Sequence, residues 1–237
     1  MVATHSAGCV TTVLLLRHGR TTANAEGVLA GWTPGIELDD VGREQAAAVA
    51  TRLQEVRFSA ILTSPLERCR QTADIVADRR RTDMPVHTEV DLAEARYGDW
   101  TGQTLEVLAK DPLWDAVQHH ASGVTFPGGE SMSGVQARAI AAIRRWNRRL
   151  GDSATYVAVS HGDVIKAIVA DALGMHLDLF QRIQVDPCSI SVIRYTPERA
   201  FVARLNDVGG DLSMFSPNRR RRPRRPSDGV VGGGAGA

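Results

Sequence analysis

The chain has 237 residues, 43% of them hydrophobic and 23% charged, with a formal net charge of +1. That length suits one sizeable α/β domain or two small ones, and the composition is that of an ordinary globular protein. The near-neutral charge gives no overall field for nucleic acid or a membrane surface, and no stretch reaches the roughly 20 apolar residues of a membrane span. Cys9, Cys69 and Cys188 are widely spaced with no C-x-x-C pair. This speaks against a disulfide framework or zinc knuckle and predicts a reducing, cytoplasmic setting. The first residues lack a basic signal-peptide start, so residues 1–10 read as a flexible leader. Arg219 to Arg225 packs six arginines into seven residues. With the glycines beyond them, they make residues 216–237 an expected disordered tail in which nucleic-acid binding is at most adventitious.

Between these ends, residues 11–215 read as one α/β domain. Thr12 to Arg17 is a short apolar run that stops on Arg17-His18-Gly19, as a buried parallel strand would. Thr22 to Glu26 could form a short helix, and a loop bearing Gly27, Gly31, Pro34 and Gly35 follows. Asp39-Asp40 should cap a helix over Val41 to Glu55. A strand is expected at Ala60 to Thr63. Ser64 at N-cap, Pro65 at N1 and Glu67 at N3 then predict a helix from Pro65 to about Arg79. Pro85 to Thr88 is a third candidate strand, and Asp91 to Trp100 fits neither period. Helical patches at Leu105 to Lys110 and Leu113 to His120 lie in an insertion over about 102–130, read as a small cap. An amphipathic helix over Ser131 to Leu150 leads to a strand at Thr155 to Val159, which runs into Ser160-His161-Gly162. A helix from Asp163 to Leu173 and β-like runs at Ser189 to Tyr195 and Ala200 to Leu205 complete the domain. Strands alternating with helices predict a three-layer αβα fold: a mostly parallel sheet, helices on both faces, and the cap over its carboxyl edge.

Two buried strands that each end in His-Gly place His18 and His161 together if the strands are neighbours. Arg17 lies beside them, and Arg68 sits one turn into the well-signalled helix. Two guanidinium forks with two imidazoles match the oxygens of a phosphoryl group. A histidine among such cations is favoured in its neutral, nucleophilic form and could attack phosphorus, with Glu94 as proton donor to the leaving oxygen. Taken singly, each residue has a plainer reading: His161 as a satisfied core histidine, Glu94 as a loop carboxylate, the arginines of Ser131 to Leu150 as a solvated face. His87, His119 and His120 lack metal-ligand spacing and read as surface residues, and the four tryptophans as packing.

The chain also resembles a known family. Leu16-Arg17-His18-Gly19-x-Thr21-x-x-Asn24 is similar to the signature of the histidine phosphatase superfamily, in the branch of phosphoglycerate mutases and small phosphatases. Ser64-Pro65-Leu66-x-Arg68-Cys69-x-Gln71-Thr72-Ala73 resembles its second motif, and Leu92-x-Glu94-x-x-Tyr97-Gly98-x-Trp100-x-Gly102 its acid motif. Ser160-His161-Gly162 and the loop Pro127-Gly128-Gly129-Glu130-Ser131 match two more of its elements. The resemblance implies a phosphoglycerate mutase-like fold. It makes His18 the nucleophile, Arg17, Arg68 and His161 its phosphate-binding partners, and Glu94 the acid and later the base. Thr21, Asn24, Ala30, Gly31, Tyr97 and the amide of Gly162 would contact substrate. No metal and no cofactor are implied, the substrate would be a small phosphorylated metabolite, and family relatives form dimers or tetramers.

The expected activity is therefore phosphomonoester hydrolysis of the broad-specificity acid-phosphatase type. The first alternative is mutase-type phosphoryl transfer. It calls for a longer basic segment than Glu94 to Glu130, which carries Lys110 but no paired arginines. Leu105, Leu108, Leu113, Trp114, Val117 and Val124 predict a partly apolar mouth instead. Remoter alternatives are a non-catalytic phospho-ligand or protein-binding module, and a metallohydrolase using His18, His161 and Asp163.

Overall fold

The first strand, β1 (Thr11–Arg17), is buried on both faces, and its side chains alternate between two cores as the pleat requires. Val13 and Leu15 enter one hydrophobic cluster, Leu14 and Leu16 the other. β2 (Ile61–Thr63) and β4 (Thr155–Ser160) divide their residues in the same way, with Leu62, Tyr156 and Ala158 on one side and Ile61, Val157 and Val159 on the other. The computed structural model describes residues 10–80, 84–210 and 231–234. Residues 1–9 of the expected leader lie outside these.

With β3 (Val86–Thr88), β5 (Ile190–Tyr195) and β6 (Ala200–Asp207), the strands form one six-stranded sheet in the order β3-β2-β4-β1-β5-β6. The pairs β3/β2, β2/β4 and β4/β1 are parallel, whereas β1/β5 and β5/β6 are antiparallel. The sheet is thus mixed, its parallel part closed by a terminal hairpin around Thr196. A short α1 (Thr22–Ala25) follows β1. α2 (Asp40–Leu53) and α3 (Glu67–Asp78) cover one face through Ala46, Val49, Ala73 and Val76. α6 (Met132–Leu150) and α7 (Gly162–Ala172) cover the other through Val135, Ile143, Val164 and Ile168. β1 and β4 are neighbours whose following chains leave toward opposite faces, the kind of switch point where open α/β sheets bind ligands.

The predicted cap at Asp39 is present, its side chain accepting the Gly42 amide; Ser131, expected as the first helical residue, is the N-cap of α6 and accepts the Gly134 amide. The second motif departs from expectation. α3 begins at Glu67, its N-cap is Leu66, and no side chain caps it. The Ser64 hydroxyl instead accepts the Leu66 amide and faces His161, so a sequence that scans as a helix cap is spent on the site.

The insertion contains α4 (Leu105–Leu108) and α5 (Leu113–His119). Its apolar side chains turn inward: Leu108, Val117 and Val124 are buried in the core cluster that holds Trp100 and Phe126. The expected apolar mouth is therefore reduced to Leu105, because a short cap needs its other large side chains for its own packing. No helix among the described residues is long and apolar enough to cross a membrane. Of the tail, only Val231–Gly234 is described; it forms a short turn against the sheet's carboxyl edge.

Candidate active site

His18 and His161 each follow the last residue of a central strand. The parallel register that pairs Arg17 with Ser160 carries both past the sheet edge together. The His18 amide donates to the Ser160 carbonyl at 3.0 Å, and the two rings stand 5.2 Å apart, edge to face. Arg17 and Arg68 join them, and all four side chains are buried. The expected constellation is assembled.

The hydrogen bonds fix both imidazole tautomers. His18 Nδ1 lies 2.7 Å from the Gly19 carbonyl. A carbonyl only accepts, so Nδ1 carries the proton and Nε2 keeps its lone pair. Arg68 Nε donates to that Nε2 at 3.3 Å. The same guanidinium reaches His161 Nδ1 at 3.2 Å and the Gly31 carbonyl at 2.9 Å through Nη2. Nδ1 of His161 is thus an acceptor, and its Nε2 donates to the Ser64 hydroxyl at 2.7 Å. Burial, reinforced by Arg68, holds both imidazoles well below the ordinary histidine pKa, with Arg17 adding to this at His18 and His18 itself at His161. Both rings are neutral near pH 7. Arg68 Nη1 is buried without an acceptor among the described residues, a guanidinium donor left over in a cationic pocket.

Among the described residues, Glu94 is the one carboxylate lining the cavity. Burial, and next the charge of Asp163, push its pKa up to about 7 against the pull of Arg68, the value wanted of a group that must both give and take a proton. Its backbone is anchored from two sides. The Glu94 carbonyl accepts Trp32 Nε1 at 2.7 Å and Arg138 Nη2 at 3.1 Å. Arg138 also grips both carboxylate oxygens of Glu130, at 2.6 and 3.1 Å, and the Asp91 carbonyl. The arginines of α6 are thus not all a solvated face, since Arg138 ties the acid loop to the Pro127–Ser131 loop.

Of the predicted substrate contacts, Thr21, Asn24, Ala30, Gly31 and Tyr97 line the cavity with His18, Arg68 and Glu94. Thr21 and Asn24 cap each other across α1, a box that fixes where their polar atoms sit. Gly162 is buried at the start of α7 and does not line the cavity. Leu105 is the sole residue of the insertion among those lining it, and Lys110 points away, paired with Glu106 in solvent. His119 and His120 are exposed, as expected, whereas His87 packs on Trp146.

Four residues near the site escaped sequence reasoning in these roles. Ser64 and Arg138 have been described. Asp163 turns away from the imidazoles: it accepts the Tyr97 hydroxyl at 2.9 Å and pairs with Lys166 at 3.4 Å, all three buried. A lysine inside the otherwise apolar Val164 to Ala170 run was the available signal, because a buried charge needs a partner nearby.

Two imidazoles, two guanidinium groups and a carboxyl thus meet at one sheet edge of an α/β protein, and comparison gives the family. The chain belongs to the histidine phosphatase superfamily, branch 1, which it matches over residues 13–208. A Mycobacterium tuberculosis protein called bifunctional is 32% identical over 88% of this chain and 57% of its own length. The chain thus spans little more than half the length of the first curated relatives it matches. A glucosyl-3-phosphoglycerate phosphatase of Mycolicibacterium vanbaalenii is 33% identical over 70% of this chain and 76% of its own. Among solved structures, an Entamoeba histolytica phosphoserine phosphatase with phosphoserine bound superposes with a TM-score of 0.76 at 27% identity, covering 84% of this chain and 98% of that one. The alternation of strands and helices therefore led to the right fold class, and the resemblance of the motifs to the right family.

Proposed function

We propose that this chain hydrolyses phosphomonoesters of small metabolites through a phosphohistidine on His18. The observation that carries the reading is the fixed tautomer of His18: its proton is held at Nδ1 by Gly19, and its lone pair lies at Nε2 among guanidinium groups. In the first half-reaction the Nε2 lone pair attacks phosphorus and the phosphorus–oxygen ester bond breaks. The proton of Glu94 passes to the leaving oxygen, releasing an alcohol. In the second, water attacks the phosphohistidine, Glu94 takes its proton, and the nitrogen–phosphorus bond returns its electrons to Nε2 as inorganic phosphate leaves. Arg17, Arg68 and His161 stabilise the negative oxygens throughout. Arg17 and Arg68 meet the phosphoryl charge with their guanidinium groups, so the proposed steps route nothing through a metal.

Hydrolysis is favoured over mutase transfer by the cavity's lining. A phosphoglycerate carries a second acidic group, and the cap supplies no cation to meet it. The names of relatives support a small phosphorylated metabolite as substrate. The free, buried thiols of Cys69 and Cys188 support a cytoplasmic location. The test is a phosphate-release screen over sugar phosphates, nucleotides, phosphoglycerates, phosphoserine and an aryl phosphate. Turnover should be untouched by chelator and absent in His18→Ala, with alkali-stable, acid-labile phosphate trapped on the wild-type chain. Full turnover by His18→Ala would end the reading.

A further inference from the structure

The cavity over His18 is partly filled by the chain's own Val231–Gly234. Val231 is 1% exposed and packs in the core cluster that holds Leu29 and Tyr97. The Gly232 amide donates to Asp163 Oδ2 at 2.9 Å. The carbonyls of Gly232 and Gly234 accept from Arg17 Nη2 at 3.3 and 2.6 Å. Gly232 has φ +72°, and a Cβ there would stand 2.9 Å from Leu29 Cδ1. These are the contacts of a seated ligand: an apolar anchor, an amide on a buried carboxylate, carbonyls on a guanidinium, and a position that only glycine fills without strain.

What remains beside it is a narrow cavity of about 20 Å³, lined by His18, Arg68 and Glu94 together with Val231, Gly232 and Gly234. The seating also gives a task to a buried group that the hydrolytic steps leave idle. Asp163 is oriented by Tyr97 and Lys166, and its Oδ2 receives the Gly232 amide. A phosphate dianion is a far stronger acceptor for Arg17 than two peptide carbonyls, so the segment can be displaced by substrate but not by water.

We propose that Val231–Gly234 is an intramolecular ligand of the phosphate pocket, one that competes with substrate for Arg17 and must leave before a phosphomonoester can sit over His18. The site is thus also a peptide-binding site, selective for a small apolar residue followed by glycines. This rests on reading the pocket as a phosphate site, and the two claims can be separated by experiment.

Two variants serve: the chain truncated after Gly210, and the full-length chain carrying Gly232→Val, which decides the matter if truncation impairs folding. Both should lower KM for an aryl phosphate and the inhibition constant of vanadate by about tenfold, the size expected for releasing roughly one hydrogen bond to a charged group. The synthetic peptide of residues 230–237 should bind the truncated chain in calorimetry, be displaced by vanadate, and inhibit turnover competitively. The same peptide with valine at the Gly232 position should do none of these. Peptide binding that vanadate displaces, in a chain without phosphatase activity, would sustain the docking and sink the hydrolase reading. Unchanged KM and vanadate inhibition in both variants would overturn the proposal, as would a truncated chain that fails to bind the peptide or a rise in KM with loss of kcat.

Discussion

Arg68 Nε stands 3.3 Å from His18 Nε2, so in the resting site a guanidinium N–H occupies the lone pair that would attack phosphorus. Because the same Arg68 also holds His161 and Gly31, its fork sets the spacing of the two imidazoles as well as the charge between them. In the proposed mechanism an incoming phosphoryl group would take over the Arg68 donors and free Nε2 as it arrives. Lysine keeps the charge but cannot span these partners. We therefore expect Arg68→Lys to lower kcat/KM for an aryl phosphate by on the order of 10²–10³-fold, nearly as much as Arg68→Ala. Steady-state kinetics of the two variants check this, and near-normal turnover in the lysine variant would show that charge alone suffices.

Glu94 titrates at about 7 because it is buried beside Asp163, and the sign of two pH effects follows. If Glu94 is the proton donor proposed above, ester cleavage needs its proton, and kcat/KM should fall as pH rises through about 7. On the acid side it should hold well below pH 6.5, since His18 is kept neutral far down by burial and Arg68. Stability moves with it. A carboxyl whose folded pKa is raised from 4.5 to about 7 contributes stability that is complete below pH 4.5 and is lost as pH rises to about 7, roughly 3 kcal/mol in all. Glu94→Gln lacks that loss. It should cut turnover by about 10²–10⁴-fold and melt higher than the parent at pH 8, with the difference closing toward pH 4.5. Equal melting curves at pH 8 would remove the raised pKa.

The sheet, its two His-Gly strand ends and the helices on both faces were readable because each rests on local patterning: apolar runs cut by glycine, capped amphipathic segments, and motifs in order. What could not be read depends on contacts distant in sequence. Ser64 looks like an N-cap whether its hydroxyl serves a helix or meets His161 across 97 positions. Arg138 is one arginine among several on α6 until Glu130 and the Glu94 carbonyl fold against it. The docking of Val231–Gly234 is the extreme case, for a glycine-rich stretch carries no periodicity and its meaning lies wholly in the socket. The cap departs for another reason: in sequence its apolar residues suit a substrate mouth, but Leu108, Val117 and Val124 pack into the core and of the cap's apolar residues only Leu105 reaches the cavity.

Ser64 offers a test of tautomer control. Its hydroxyl accepts the Nε2 proton of His161, leaving Nδ1 as acceptor toward Arg68. In Ser64→Ala that proton loses its oxygen partner and the ring is free to exchange tautomers. The expected result is a kcat lowered by about tenfold with little change in KM, together with a changed nitrogen-15 signature of the His161 ring. An unmoved spectrum would reduce Ser64 to a packing residue.

The two described thiols should be inert. Burial pushes Cys69 and Cys188 up to about 12 each, against the smaller opposing pull of Arg68 on Cys69 and of Arg17 on Cys188. Thiolate is the reactive form and burial also bars reagents. Iodoacetamide at pH 8 should leave both unlabelled in the folded chain and label both in denaturant, as peptide mass mapping would show. Rapid native labelling of Cys69, which touches His161 at 3.4 Å, would mean that the phosphate pocket opens far more readily than its packing implies.

The acid loop also has a purely steric dependence. Gly98 has φ +55°, and a Cβ on it would stand 2.0 Å from the Pro127 carbonyl, with Gly129 hardly farther. The neighbouring backbones are fastened there by Asp99 N to Pro127 O at 2.8 Å and Glu130 N to Arg96 O at 2.8 Å. Neither partner is a flexible side-chain end, so the loops must separate to admit even a methyl group. Gly98→Ala should therefore cost about 2 kcal/mol or more in denaturant unfolding. It should also lower kcat, because the Pro127–Ser131 loop carries Glu130, and Glu130 holds the Arg138 that anchors the Glu94 backbone. A variant of wild-type stability and turnover would show that the two loops are not tied together as these contacts require.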